Sequence, residues 1–209
     1  MKMTLRATCA AAAVVGAIIG SAPSVVAQPP PPTDQGTPED VQGVLNRLSQ
    51  TQTLTESDRA ILLKYPDIAE QIVDPGKVVL GTEQKQPADQ TKVGPGCWTW
   101  ARDVKGYTVL GQDAYTVRFR ADWCEDEANI RGVHFRSQEV TFLGTFMNDR
   151  GEKENFVTPT PYPNVEVKLK REIENCVPIY GCVNSDYPYA RFDLHAGPNN
   201  EDFFYTGVQ

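Results

Sequence analysis

Tyr115-Thr116-Val117-Arg118-Phe119-Arg120-Ala121-Asp122-Trp123-Cys124 alternates strictly in polarity. Tyr115, Val117, Phe119, Ala121 and Trp123 share one side, while Thr116, Arg118, Arg120 and Asp122 share the other. A period of two with one apolar side is the pattern of a half-buried antiparallel strand. The stretch Cys97-Trp98-Thr99-Trp100 mirrors its end. A hairpin that sets Cys97 opposite Cys124 also sets Trp98 against Trp123, Trp100 against Ala121 and Val104 against Val117. Its turn then falls at Leu110-Gly111, where glycine suits a positive φ. A hairpin this long is expected to contain a bulge.

That register brings Cys97 and Cys124 within disulfide reach. By elimination Cys176 pairs with Cys182 and closes the loop Cys-Val-Pro-Ile-Tyr-Gly-Cys. Four cysteines allow two other connectivities, and spacing alone leaves them open. A four-cysteine metal site is disfavoured, because no Cys-x-x-Cys pair is present.

Further strands follow downstream. Val165, Val167, Leu169 and Ile173 alternate with charged residues, and Ala190, Phe192, Leu194 and Ala196 alternate with Tyr189, Arg191, Asp193 and His195. Residues 140–147 are apolar on both faces, as in a central strand, and 203–205 are placed to close a sheet. The expected class is mainly β: an antiparallel β-sandwich or open barrel over 97–209, with two disulfides and a short N-terminal helical hairpin.

Cys97-Trp98-Thr99-Trp100 followed by an alternating strand ending in Asp122-Trp123-Cys124 resembles small exported actinobacterial β-proteins of unknown function. The resemblance covers roughly residues 97–145 and implies a β fold without an activity. Residues 37–74 lie outside it.

The N-terminal part carries different signals. Residues 1–27 open with Lys2 and Arg6, continue with an apolar run over 10–19 and end in small residues, the order of a secretory signal peptide cut before Gln28. Cys9 would leave with it. Residues 28–36 contain four consecutive prolines and read as a disordered spacer. In 37–74, Thr37 is placed to cap a helix with Pro38 at its first position, and Val41, Val44, Leu45 and Leu48 recur at helical spacing. Thr55 starts a second helix that ends at Tyr65-Pro66, and a third short turn from Asp67 to Val73 stops before Pro75. Such short helices need a surface to pack on, either the β-domain or another chain. Residues 75–96 read as a linker, with Val78-Val79-Leu80 offering one edge strand.

Composition narrows the function classes. Removing 1–27 leaves 182 of the 209 residues, with 18 basic against 27 acidic and a net charge of −9. An anionic chain is a poor partner for nucleic acid and for anionic membranes. Exported localisation outside the cell agrees with an even set of cysteines. The sequence has no cofactor motif, no phosphate loop and no Gly-x-Ser-x-Gly elbow, so no cofactor, metal or catalytic residue is assigned. His134 and His195 fall on outward strand faces. Asp193 and His195 form only a two-ligand pair, and Glu125-Asp126-Glu127 lacks the ligand order of a calcium loop.

Tyrosines held by prolines or a disulfide are better candidates, because they lose little entropy on stacking against a partner. Tyr162, Tyr180, Tyr187 and Tyr189 are the candidate ligand-binding residues. The leading expectation is a secreted, non-enzymatic binding protein for an extracellular glycan or protein. The alternatives are a secreted hydrolase using surface carboxylates or a histidine, and a protease inhibitor acting through the Cys176–Cys182 loop at Pro178-Ile179-Tyr180. A helical hairpin that docks on a partner chain is a further reading.

Overall fold

The computed structural model describes residues 38–88, 96–197 and 201–209. The expected signal peptide with Cys9, the proline-rich spacer and the capping residue Thr37 lie outside the described residues. The described chain is mainly β, with three short helices followed by ten strands in two antiparallel sheets.

In the first sheet, β1 (Val73–Leu80) and β2 (Gln84–Pro87) line up along one edge of β3 (Cys97–Thr108). β4 (Asp113–Glu125) and β5 (Ile130–Leu143) follow. The β3–β4 register is the expected one: Cys97 faces Cys124, Trp98 faces Trp123, Trp100 faces Ala121 and Val104 faces Val117. The bulge falls between Gly106 and Tyr107, and Gly111 in the turn has φ +84°. Both disulfides form, Cys97–Cys124 and Cys176–Cys182.

In the second sheet, β6 (Met147–Val157) pairs with β7 (Asn164–Val177). The opposite edge of β7 is shared by β9 (Pro188–His195) and β8 (Gly181–Asp186), and β10 (Phe203–Val208) pairs with β9. Trp100, Phe119 and Trp123 of the first sheet pack with Val167, Leu169 and Phe192 of the second in one core. The sheets are stitched along one side by Arg171, whose Nη1 donates to the Gln138 carbonyl at 2.7 Å.

Two expectations change. Residues 140–147 are the last residues of β5, the turn over 144–146 and the first residue of β6, and β5 is an edge strand of its sheet. Phe142 and Leu143 are exposed, and the chain reverses at Gly144, which packs so closely on the Ala114 carbonyl that a Cβ would lie 2.9 Å from it. Apolarity on both faces here reflects a hairpin tip, where alternation stops. The segment 75–96 is also more than a linker. β1 begins inside the expected helical region at Val73, and β2 occupies a run that reads as polar connector because all four of its residues face solvent.

The helical part consists of two helices and a short third, α1 (Glu39–Thr51), α2 (Glu56–Leu62) and α3 (Pro66–Ala69), which together form a cap. Pro38 is itself the N-cap of α1, while Thr55 and Asp58 form a reciprocal capping box on α2. The apolar stripe Val41, Val44, Leu45 and Leu48 packs on Val109, Val177 and Val183 of the β-domain. It is therefore satisfied within the chain and is not left open for a partner. Arg59 makes a two-pronged pair with the buried Asp74, at 2.7 and 2.8 Å, and so fastens α2 to β1. The buried Asn175 accepts from Val73 N–H and donates to the Gln71 carbonyl, fixing the start of β1 to β7.

Behind this cap Asp186 is buried and accepts a hydrogen bond from the Tyr115 hydroxyl at 2.8 Å. Burial pushes its carboxyl up to about 6, outweighing the hydrogen bonds from Tyr115 and Asn184. The folded state then binds this proton more tightly than the unfolded chain. The associated stability is present in full below about pH 4 and is lost as pH rises through about 6, by roughly 3 kcal/mol. Chemical denaturation of wild type and Asp186→Asn across pH 4 to 7 should show their stability difference moving by that amount against the wild type. A difference that stays flat would contradict the assignment.

Candidate functional site

The outer face of the second sheet carries an ordered array of rings and charges. Outward positions on β9 are Tyr189, Arg191 and Asp193, and registry sets them beside Lys170, Lys168 and Glu166 of β7. On the other side the same register sets Tyr205 beside Arg191 and Phe203 beside Asp193. Phe156 of β6 lies beside Lys168. One row across the sheet thus reads Tyr205, Arg191, Lys168, Phe156: ring, cation, cation, ring.

Contacts between neighbours hold this array in place. The Arg191 guanidinium lies 6.0 Å from the Tyr205 ring centre, and the Lys168 ammonium lies 5.7 Å from that of Phe156. Phe203 and Tyr205 lie nearly parallel, with centroids 6.4 Å apart. Tyr189 lies across Gly207, where an added Cβ would come within 3.1 Å of the ring. The glycine therefore provides the room that lets Tyr189 lie flat on the sheet. Each charge also has a partner. Glu166 pairs with Lys168 at 2.8 Å and with Arg191 at 2.9 Å, Asp193 pairs with Arg191 at 2.8 Å, and Lys170 donates to Gln209 at 2.6 Å.

Three shallow clefts run together along this face. The central one, about 530 Å³, is lined by Tyr189, Tyr205, Lys168, Lys170, Arg191 and Gln209. A second shares Lys170 and Gln209 with it and reaches Tyr187. A third shares Arg191 and Asp193 with it and reaches His195. The eight steps of strand from Tyr187 to His195 span about 26 Å.

The four candidate tyrosines do not meet. Tyr187 and Tyr189 stand on this face, and the Tyr187 hydroxyl approaches Glu172 at 3.3 Å. Tyr162 is 57 % exposed and lies just ahead of β7, where it makes an isolated bridge with Ile130. Tyr180 follows the far end of β7 and packs against the helical cap, plugging that core. Phe156, Phe203 and Tyr205 join the face without having been singled out. The outward alternation of 203 and 205 was the available signal, but the glycine opposite Tyr189 acquires meaning only from the β9–β10 register.

Other chemistry falls into structural roles. His134 is exposed on β5, while His195 is half-buried on β9 with its ring edge-on to Phe203 at 6.0 Å, so the two histidines belong to different sheets. The Asp193 carboxylate is taken by Arg191. Asp126 closes its own turn: pairing with Arg131 and hydrogen bonds from the Ala128 and Asn129 N–H groups hold its carboxyl down at about 2. Among the described residues the one cluster with metal-ligand spacing is Glu174, Cys176 and Cys182, and both of its cysteines are in a disulfide. Comparison with family models, with curated proteins and with solved structures gives no match.

The Cys176–Cys182 loop is a tight turn in which Tyr180 N–H donates to the Val177 carbonyl at 3.2 Å. A substrate-like inhibitor loop offers extended residues to a protease. Here Ile179 has φ +74° and Tyr180 packs against the cap, so the two do not form an extended run. Ile179 is 97 % exposed and β-branched, in a conformation that disfavours such side chains. Ile179→Asn should therefore stabilise the fold by about 1 kcal/mol in denaturant titration. A loss of stability would mean that Ile179 makes contacts which its exposure does not reveal.

Proposed function

We propose that this is a secreted, non-enzymatic binding protein that holds a neutral glycan chain along the outer face of its second sheet. What carries the reading is the run of joined clefts along β9, where aromatic rings flank charges that, Lys170 on Gln209 apart, are paired to one another. Sugars present apolar C–H faces and rims of hydroxyls that both donate and accept. Flat rings suit the former, and adjacent acid and base side chains suit the latter. A polyanion would instead call for unpaired cations. Placement outside the cytoplasm is supported by the two disulfides and by the charge, apolar and small-residue order of 1–27. No helix among the described residues is long and apolar enough to cross a membrane.

Retention of the purified protein on a panel of insoluble neutral polysaccharides tests this. Tyr189→Ala and Tyr205→Ala should each weaken retention about tenfold or more, as expected for aromatic anchors at the centre of a contact. Tyr162→Ala should leave it unchanged. Retention should also vary little between low salt and about 0.5 M salt, since the face is charge-balanced. Steep loss with salt would indicate an anionic ligand, and binding that survives the double Tyr189/Tyr205 variant would place the site elsewhere.

A further inference from the structure

Lys85 sits in an aromatic cage. Its ammonium lies 4.9 Å from the ring centre of Trp100 and 5.7 Å from those of Trp98 and Trp123, and its Nζ donates to Asp202 at 2.8 Å. The walls are held by other contacts. Trp98 Nε1 donates to Glu125, and Trp100 Nε1 donates to Glu83, both at 2.8 Å. The far oxygen of Asp202 accepts from the His195 backbone N–H at 2.7 Å. Trp100 and Trp123 are buried and belong to the main core, so the cage does not need Lys85 to exist. Trp123 Nε1 is moreover buried without an acceptor, a cost that a purely structural cluster would ordinarily avoid.

Lys85 itself comes from outside this framework. It lies on β2, a four-residue edge strand whose residues are all exposed, and its side chain is 38 % exposed. Rotation of that side chain into solvent would free the space between three indole faces and a carboxylate. Such a space recognises a compact organic cation: the ring faces attract positive charge, and the carboxylate balances it.

We propose that the Trp98, Trp100, Trp123 and Asp202 cage is a binding site for an alkylammonium group, primary or methylated, which Lys85 occupies in the free protein. Lys85 is then a tethered competitor that an incoming cation must displace. The site is separate from the glycan-binding face and does not depend on it.

The test is tryptophan fluorescence of the full chain titrated with n-butylammonium, tetramethylammonium and the neutral n-butanol. In Lys85→Ala the cage is vacated, so one or both cations should give a saturable change at concentrations at least about tenfold below any response to n-butanol. Wild type should need roughly tenfold more of the same cation, because its own ammonium must leave first. Adding Asp202→Asn to Lys85→Ala should weaken the cation response and leave the n-butanol response unchanged. Which cation saturates at the lower concentration distinguishes a primary from a methylated ligand. Thermal melts establish that each variant is folded. If folded Lys85→Ala shows no preference for cations over n-butanol, or if wild type binds as well as the variant, Lys85 is only a latch on β2 and the proposal fails.

Discussion

The β3–β4 hairpin is held in register by two constraints that agree. The disulfide between Cys97 and Cys124 joins directly opposed residues at its open end, and strict alternation along Tyr115–Trp123 puts every apolar side chain on one side. A slip by one residue would exchange every inward ring for an outward charge, so the register is tightly specified. Once it is set, Trp100, Phe119 and Trp123 form one wall of the core, and Val167, Leu169 and Phe192 must supply the other. The position of the second sheet follows from that demand.

The two ends and two faces of the sandwich then take different roles. One end is closed by the helical cap, whose apolar stripe is consumed by Val109, Val177 and Val183 and whose polar ties run through Arg59–Asp74 and Asn175. At the other, Lys85 bridges the first sheet to Asp202 beside β10. The inward residues of the second sheet already satisfy the core, and among the described residues no structural element lies above its outward rings and ion pairs. An ordered array of side chains on such a surface suits recognition of a ligand that is flat, hydroxyl-rich and uncharged.

Alternation made the β-sandwich legible in Tyr115–Trp123 and Val165–Leu169, and matching Cys-Trp and Trp-Cys ends made one hairpin legible to the residue. It misled at 140–147, where an apolar run on a hairpin tip imitates a buried strand, and at 84–87, where an exposed edge strand has no inward side to signal it. The binding face was half legible. Tyr187 and Tyr189 stood out for their proline neighbour, and they do share a face. Tyr162 stood out for its flanking prolines and Tyr180 for its disulfide loop, but they lie beyond opposite ends of β7, because local rigidity says nothing about long-range pairing. Phe156 beside Lys168 and Lys85 among its tryptophans arise from cross-strand neighbours far apart in the chain, which no local pattern encodes.

The face can be mapped directly by following backbone amide signals by NMR while titrating soluble neutral oligosaccharides. Shifts concentrated in 187–195 and 203–209, with smaller changes at Lys168 and Lys170, are what binding along β9 predicts. Shifts confined to the tips around Tyr162 or Ile179, or to the helical cap, would contradict it.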